Sequence, residues 1–231
     1  MKHTDNWDQL NEEIISCRAC PRLVEWREQV AREKRKAYRD WDYWGRPVPG
    51  FGDRNARLML VGLAPGAHGS NRTGQMFTGD SSGDTLFEAL YQAGFANKPT
   101  ARSRGNGLEL TDAFITAMGR CAPPQNKPTA QEINNCRPFF EREWDLMPQI
   151  KVLMALGGIG FNGCVRLLRD KGLEVPKLKF GHGVHYPLTD GSRIVHLTAC
   201  YHPSRQNTQT GRLTQQMLND VFTMARSLLE E

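Results

Sequence analysis

The sequence predicts an α/β protein, a three-layer α/β/α sandwich built on a short four-stranded, mostly parallel sheet, because two patterns alternate along it. Four short apolar runs, at residues 57–63, 113–118, 152–156 and 194–200, are bounded by turn signals, as strands buried on both faces should be. Segments with apolar residues at helical spacing lie between and after them, and that alternation builds βαβ units. A chain of 231 residues has room for one domain, residues 1–231, with a single sizeable core.

In order along the chain, an N-terminal arm, residues 1–41, reads as helical on both sides of Cys17 to Pro21, with the proline suited to the first turn of the second helix. Residues 43–55 form a Gly/Pro-rich loop, and RLMLVGL at 57–63 is the first strand. Helices are expected at 83–93, 129–147 and 159–169, between the later strands. The last helix, 214–229, carries Met217, Leu218, Val221, Met224, Ala225 and Leu228 near helical spacing, so one face packs on the sheet. Open sheets of this kind bind ligands at the carboxyl ends of their strands. The informative loops are therefore 64–80, 121–128, 157–160 and 201–212.

Thirty Lys and Arg against 25 Asp and Glu leave a formal charge of +5, which fits a polyanionic partner without requiring one. The basic stretch at residues 27–40 reads first as a solvated helix face, with further phosphate contacts as the alternative. No apolar run approaches the ~18 residues of a membrane span, and the N-terminus lacks the apolar core of a signal peptide. The expectation is a soluble, intracellular protein with no membrane partner. No motif for oligomerisation is apparent, and a monomer is expected. Six cysteines in such a chain point to metal or redox chemistry rather than a disulfide framework.

Cys17 and Cys20 form a C-x2-C pair, while Cys121 and Cys136 bracket fourteen residues that open with APPQNKP. A pair at a helix turn and a cysteine beside two prolines are poor core positions, so these four read as one metal centre stapling the arm to the third loop. Spacing alone leaves zinc and an iron–sulfur cluster both open. Cys164 and Cys200 lie within apolar runs and read as buried thiols.

Two loops carry the chemistry. After the first strand, GLAPGAHGSNRTGQMFTGDSSG supplies glycines that let backbone N–H groups approach a ligand, with Gly62, Leu63 and Ala64 first in line. Phe77, among polar neighbours, reads as an exposed loop-tip aromatic on which a base stacks; the alternative is a plug into the core below. Asp80 and Ser82 serve as polar groups or as caps of the next helix. After the fourth strand, HPSRQNTQTGRLT places His202 at the sheet edge and follows it with Arg205, Gln206, Asn207 and Arg212, a donor-rich run suited to DNA phosphates and grooves. His68, His182, His185 and His196 read as structural or surface residues.

Taken together, GLAPG with FTGDSSG, CAPPQNKP with its later cysteine, the upstream C-x2-C and HPSRQNTQTGRLT resemble the family 5, or B-type, uracil-DNA glycosylases over nearly the whole chain. The resemblance implies a [4Fe–4S] cluster on Cys17, Cys20, Cys121 and Cys136 and a prokaryotic, cytoplasmic enzyme used at the nucleoid. It also implies hydrolysis of the glycosidic bond of uracil in double-stranded DNA, with hypoxanthine and xanthine as further bases and single-stranded DNA open as a further partner. Two departures matter. Ala64 stands where many superfamily members carry a water-holding acid or amide, and Ala117 stands where family 4 enzymes tend to have a uracil-reading Asn. Asn71 then becomes the candidate for positioning water, with Asn126 assisting, and base selectivity is expected to be broad. No KRRIH insertion is present, so covalent trapping on DNA is not expected.

His202, by resemblance and by position, is the expected donor to the leaving base. Two rival readings remain at this level. Gly158, Gly160 and Gly163 match the dinucleotide fingerprint of an NAD-binding oxidoreductase, although no acidic residue about 20 positions on ends a clear strand. The four cysteines also suit a structural zinc in a non-catalytic DNA-binding module.

Overall fold

Leu58–Gly62 (β2), Ala113–Ala117 (β3) and Val152–Leu156 (β4) are buried at every position, which is why their sequences read as unbroken apolar runs instead of alternating ones. The computed structural model describes residues 6–231; the first five residues of the expected arm lie outside it. With Ile194–Cys200 (β6) these strands form the parallel centre of a sheet ordered β1-β3-β2-β4-β6-β5.

The sheet has six strands, not the four expected. Phe51–Gly52 (β1) and Val184–Thr189 (β5) add an antiparallel strand at each edge. Neither has the apolar signature of a buried strand: β1 is two residues inside the Gly/Pro-rich loop, and β5 is mostly half-exposed and contains Pro187, which an edge strand tolerates.

Side chains alternate between two cores. Leu58, Leu60, Ile115 and Met154 face Ser81–Gln92 (α4) and Gln215–Glu230 (α8). Met59, Val61, Phe114 and Leu153 face Ala130–Asp145 (α5) and Gly158–Asp170 (α6). The arm supplies Trp7–Ser16 (α1) and Pro21–Glu33 (α2); α1 packs on α5, and Trp7 meets Phe114 at 5.2 Å between ring centroids. Among the described residues no helix is long and apolar enough to cross a membrane.

The helices that follow the neighbouring strands β2 and β4 lie on opposite faces of the sheet, which opens a crevice at their carboxyl ends. The glycines of the suspected dinucleotide fingerprint have another task there. A Cβ on Gly160 would stand 2.6 Å from the Val61 carbonyl oxygen, and one on Gly163 would stand 2.3 Å from the Met118 sulfur. They let α6 lie directly against the sheet and its following loop.

Candidate active site

The site begins where β2 ends. Met118 N–H donates to the Gly62 carbonyl at 3.0 Å and Gly119 N–H to that of Leu63 at 2.8 Å, so the loops after β2 and β3 continue side by side. Beyond that point the backbone N–H groups of Leu63, Ala64, Gly66, Ala67 and His68 meet no acceptor among the described residues. Such a run of unpaired donors at a strand end is able to hold an anion or a base carbonyl.

The rest of this loop is buried although its sequence is polar: residues 69–78 are all buried, with Asn71 and Thr78 at 0% exposure. Short hydrogen-bonded circuits satisfy much of their polar content, leaving Asn71 Oδ1 and Arg72 Nη1 without partners. Gln75 Nε2 donates to Thr78 Oγ1 at 3.1 Å, Thr73 Oγ1 to the Thr78 carbonyl at 3.1 Å, and Arg72 to the carbonyls of His68 and Gly79 at 2.8 and 2.7 Å. This corrects the expectation for Phe77. Its neighbours do not mark a solvent-exposed tip, and Phe77 itself is only 9% exposed. Phe77 is held at a φ of 51° with its ring across Gly62, where a Cβ would stand 2.9 Å from it. Asp80 is the N-cap of α4, accepting from Gly83 N–H at 3.1 Å, and its other carboxylate oxygen lies over Gly66 and Gly69. Burial pushes its carboxyl above the ordinary range.

The last loop arrives at the same place. The His202 and Phe77 ring centroids are 5.7 Å apart with their planes inclined by 31°. The Gly157 turn lies against His202, 3.4 Å from its Cβ to where a Cβ on Gly157 would stand. Burial pushes the imidazole down to about 4, so it is neutral at physiological pH, and its ring makes no hydrogen bond to any described residue. A base stacked on both rings would need about 7 Å between them, two contacts of about 3.5 Å. The 5.7 Å separation therefore leaves no room for a flat ring between the two.

The other expected residues divide. Asn71, in Ser70–Thr73 (α3), donates to the Arg27 carbonyl at 3.2 Å, and its Oδ1 is buried with no donor. Asn126 is exposed, with a left-handed φ of 57° that asparagine tolerates. Ala117 pairs with Gly62 but is sealed in the core that contains Phe77, so its methyl presents no group to a ligand. Arg205 and Gln206 project from Arg205–Gln209 (α7), and Arg212 stacks on Tyr201 at 4.7 Å. Asn207 Nδ2 donates to the His202 carbonyl at 2.9 Å, bracing this loop from within. The Arg72 guanidinium lies 3.9 Å from the Tyr38 ring centroid and 4.0 Å from that of Trp41, contacts distant in sequence that leave no local signal.

Cys17, Cys20, Cys121 and Cys136 line one small cavity of about 10 Å³. Arg27 Nη1 donates to Cys121 Sγ at 2.8 Å and Asn135 Nδ2 to Cys20 Sγ at 3.3 Å. Arg120 also lines this cavity, with Nε and Nη1 buried and unpaired while Nη2 binds Glu143 at 2.6 Å. Burial pushes the Cys121 thiol up to about 12. Among the described residues no three His, Cys, Asp or Glu side chains are grouped as a single metal ion needs. Cys164 and Cys200 are fully buried in the core.

A three-layer α/β fold that brings an aromatic ring and a neutral imidazole together at its switch point, in company with free backbone N–H groups, is the frame of an α/β enzyme. The chain belongs to the uracil DNA glycosylase superfamily, whose model matches residues 49–226. It is 51% identical to the Type-5 uracil-DNA glycosylase of Mycobacterium tuberculosis over 95% of this chain and 81% of that one. It is likewise 51% identical to the Type-5 uracil-DNA glycosylase of Thermus thermophilus, over 93% of this chain and 94% of that one. To the Type-5 uracil-DNA glycosylase of Pyrobaculum aerophilum it is 42% identical over 95% of this chain and 92% of that one.

Proposed function

We propose that the protein is a monofunctional uracil-DNA glycosylase that removes uracil from double-stranded DNA and leaves an abasic site. The observation that supports this most directly is the meeting of Phe77 and His202 at 5.7 Å beside the free N–H groups of the first loop. Flipping the nucleotide costs a few kcal/mol and is easiest at a mismatch such as U·G, the product of cytosine deamination.

In the cavity the base stacks on Phe77 while backbone N–H groups of Leu63 and Ala64 bind its edge. When the C1′–N1 bond breaks, its electron pair leaves with the base and the sugar becomes a cation. The His202 N–H donates to the base oxygen on which charge collects, as in an oxyanion hole. Water then adds at C1′; its oxygen forms the new bond and its proton passes to the departing base or solvent. Asn71 Oδ1, an acceptor without a protein donor, positions that water, and Asn126 assists from the loop beside the cysteines. No side chain recognises the uracil edge at Ala117, so hypoxanthine and xanthine are accepted as well. Arg205, Gln206 and Arg212 bind the DNA backbone.

The four cysteines suit a [4Fe–4S] cluster. The cavity is common to all four, buried guanidinium groups offset thiolate charge, and a four-iron cube keeps its sulfurs farther apart than a single zinc ion does. When bound, the cluster staples α2 to the loop before α5. The enzyme then works in the cytoplasm at the nucleoid, as a monomer.

Purified protein incubated with duplexes bearing U, hypoxanthine, xanthine or thymine opposite G, followed by alkali, tests the reading. Cleavage at U is expected, with weaker cleavage at the deaminated purines. Intact strands in every case would overturn it.

A further inference from the structure

A cleft of about 490 Å³ lies between the arm and the loop that precedes β1. It is lined by Arg18, Arg27, Arg32 and Arg46 with Trp44, and by a single carboxylate, Glu28. Glu28 cannot balance them. Arg18 hydrogen-bonds it at 2.5 Å, Arg27 lies 3.8 Å from it, and Arg32 also bears on it, which holds this carboxyl below the ordinary range. Arg32 and Arg46 are exposed, and among the described residues neither forms a close ion pair with a carboxylate. Trp44 has Arg46 at 5.7 Å and Arg104 at 4.8 Å from its ring. Arg27 forms the floor: it is 2% exposed, its Nη1 faces the Cys121 sulfur, and its buried Nε has no partner.

The cleft also adjoins the active-site loop. Trp44 N–H donates to the Arg72 carbonyl at 2.9 Å and Gly45 N–H to the Asn71 carbonyl at 3.0 Å, so the cleft wall and α3 are hydrogen-bonded together. A nucleic-acid strand leaving the site on that side would meet a surplus of fixed positive charge.

We propose that this cleft is a second phosphate-binding subsite, which grips the DNA backbone away from the flipped nucleotide through Arg32 and Arg46. The assignment of the phosphate to DNA rests on the glycosylase reading. Each phosphate neutralised adds about 0.9 to the salt slope of binding to a duplex. The side chains of Arg32 and Arg46 stay outside the base cavity, so their loss should change affinity and not chemistry.

The test compares wild type with the double variant Arg32→Ala, Arg46→Ala, on a duplex carrying a stable abasic-site analogue, across a salt series. The variant should keep the wild-type Tm, lose about 2 from the slope of log Kd against log salt, and keep the single-turnover rate on U·G DNA at saturating enzyme. Trimming the duplex from one end should erase the difference. An unchanged slope in a folded variant would overturn the subsite. Inorganic phosphate titrated into wild type separates the two sources of phosphate: a saturating thermal shift that the variant lacks, with the DNA slope unchanged, would reassign the cleft to a free anion and overturn the DNA proposal. A slope difference that persists in a protein unable to excise uracil would leave the subsite standing and remove the glycosylase reading instead.

Discussion

The role proposed for His202 rests on burial, which keeps it neutral with an N–H unclaimed by the protein. Its folded pKa of about 4 lies below the ordinary 6.5. A rate carried by the neutral ring should therefore stay flat through neutrality and fall only toward pH 4. His202→Ala is expected to slow single-turnover excision by about 10²- to 10³-fold, the loss typical of one oxyanion-hole donor, with DNA affinity preserved. The depressed pKa also fixes the sign of a stability effect. The unfolded chain binds a proton at His202 that the folded one refuses, so this contribution is full above pH 6.5 and is lost as pH falls toward 4. Urea unfolding at pH 7 and pH 5 should show a smaller loss in His202→Ala than in wild type; equal losses would contradict the assignment. Gly62 makes a second prediction, since a methyl there would stand 2.9 Å from the Phe77 ring. Gly62→Ala should displace the ring and lower the rate by about a hundredfold, as an ångström-scale misplacement does. Measured Tm should change far less than the rate.

Among the elements, the loop holding Phe77 is a buried structure stabilised by its own hydrogen bonds and by Arg72, whose guanidinium is stacked against Tyr38 and Trp41. The loop after β6 is braced in the same manner by Asn207. Asn207→Ala should cost about 1 kcal/mol of stability, lower the excision rate and leave the salt slope unchanged. Arg205→Ala with Arg212→Ala should do the reverse, lowering the slope and sparing the rate at saturation. The four central strands were legible because strands buried on both faces must be apolar throughout, and RLMLVGL can hardly be otherwise. β5 was not legible, because an edge strand with one face in water and Pro187 within it lacks that signature. Phe77 meets His202 as the sequence reading expected, but from a buried loop rather than an exposed tip. Thr73, Gln75 and Thr78 look like a solvated loop in sequence, and only the fold shows that they satisfy one another. The arm's attachment was foreseen from Cys17, Cys20, Cys121 and Cys136, while Arg27, which donates to Cys121, was hidden in a run of charges that reads as a helix surface.

For the molecule as a whole, the two cores flanking the sheet set stability, and one buried polar cluster crosses between β3 and α5. Arg120 and Thr116 both donate to Glu143 Oε2, with Arg120 1% and Glu143 0% exposed. Arg120→Met leaves a buried carboxylate without its cation, and urea unfolding should report a loss of about 3–5 kcal/mol. Because Arg120 also borders the cysteine cavity, the same change should loosen the arm, seen as faster proteolysis within residues 17–33. The surplus of basic residues then draws DNA to a molecule whose chemistry is confined to one crevice at the sheet's carboxyl edge. That confinement is tested most directly by single-turnover excision from a U·G duplex with wild type, Phe77→Ala and His202→Ala, each at saturating enzyme. A large loss of rate in both variants, with binding to an abasic-site analogue retained, is the predicted result; full-rate uracil release by either variant would contradict the account.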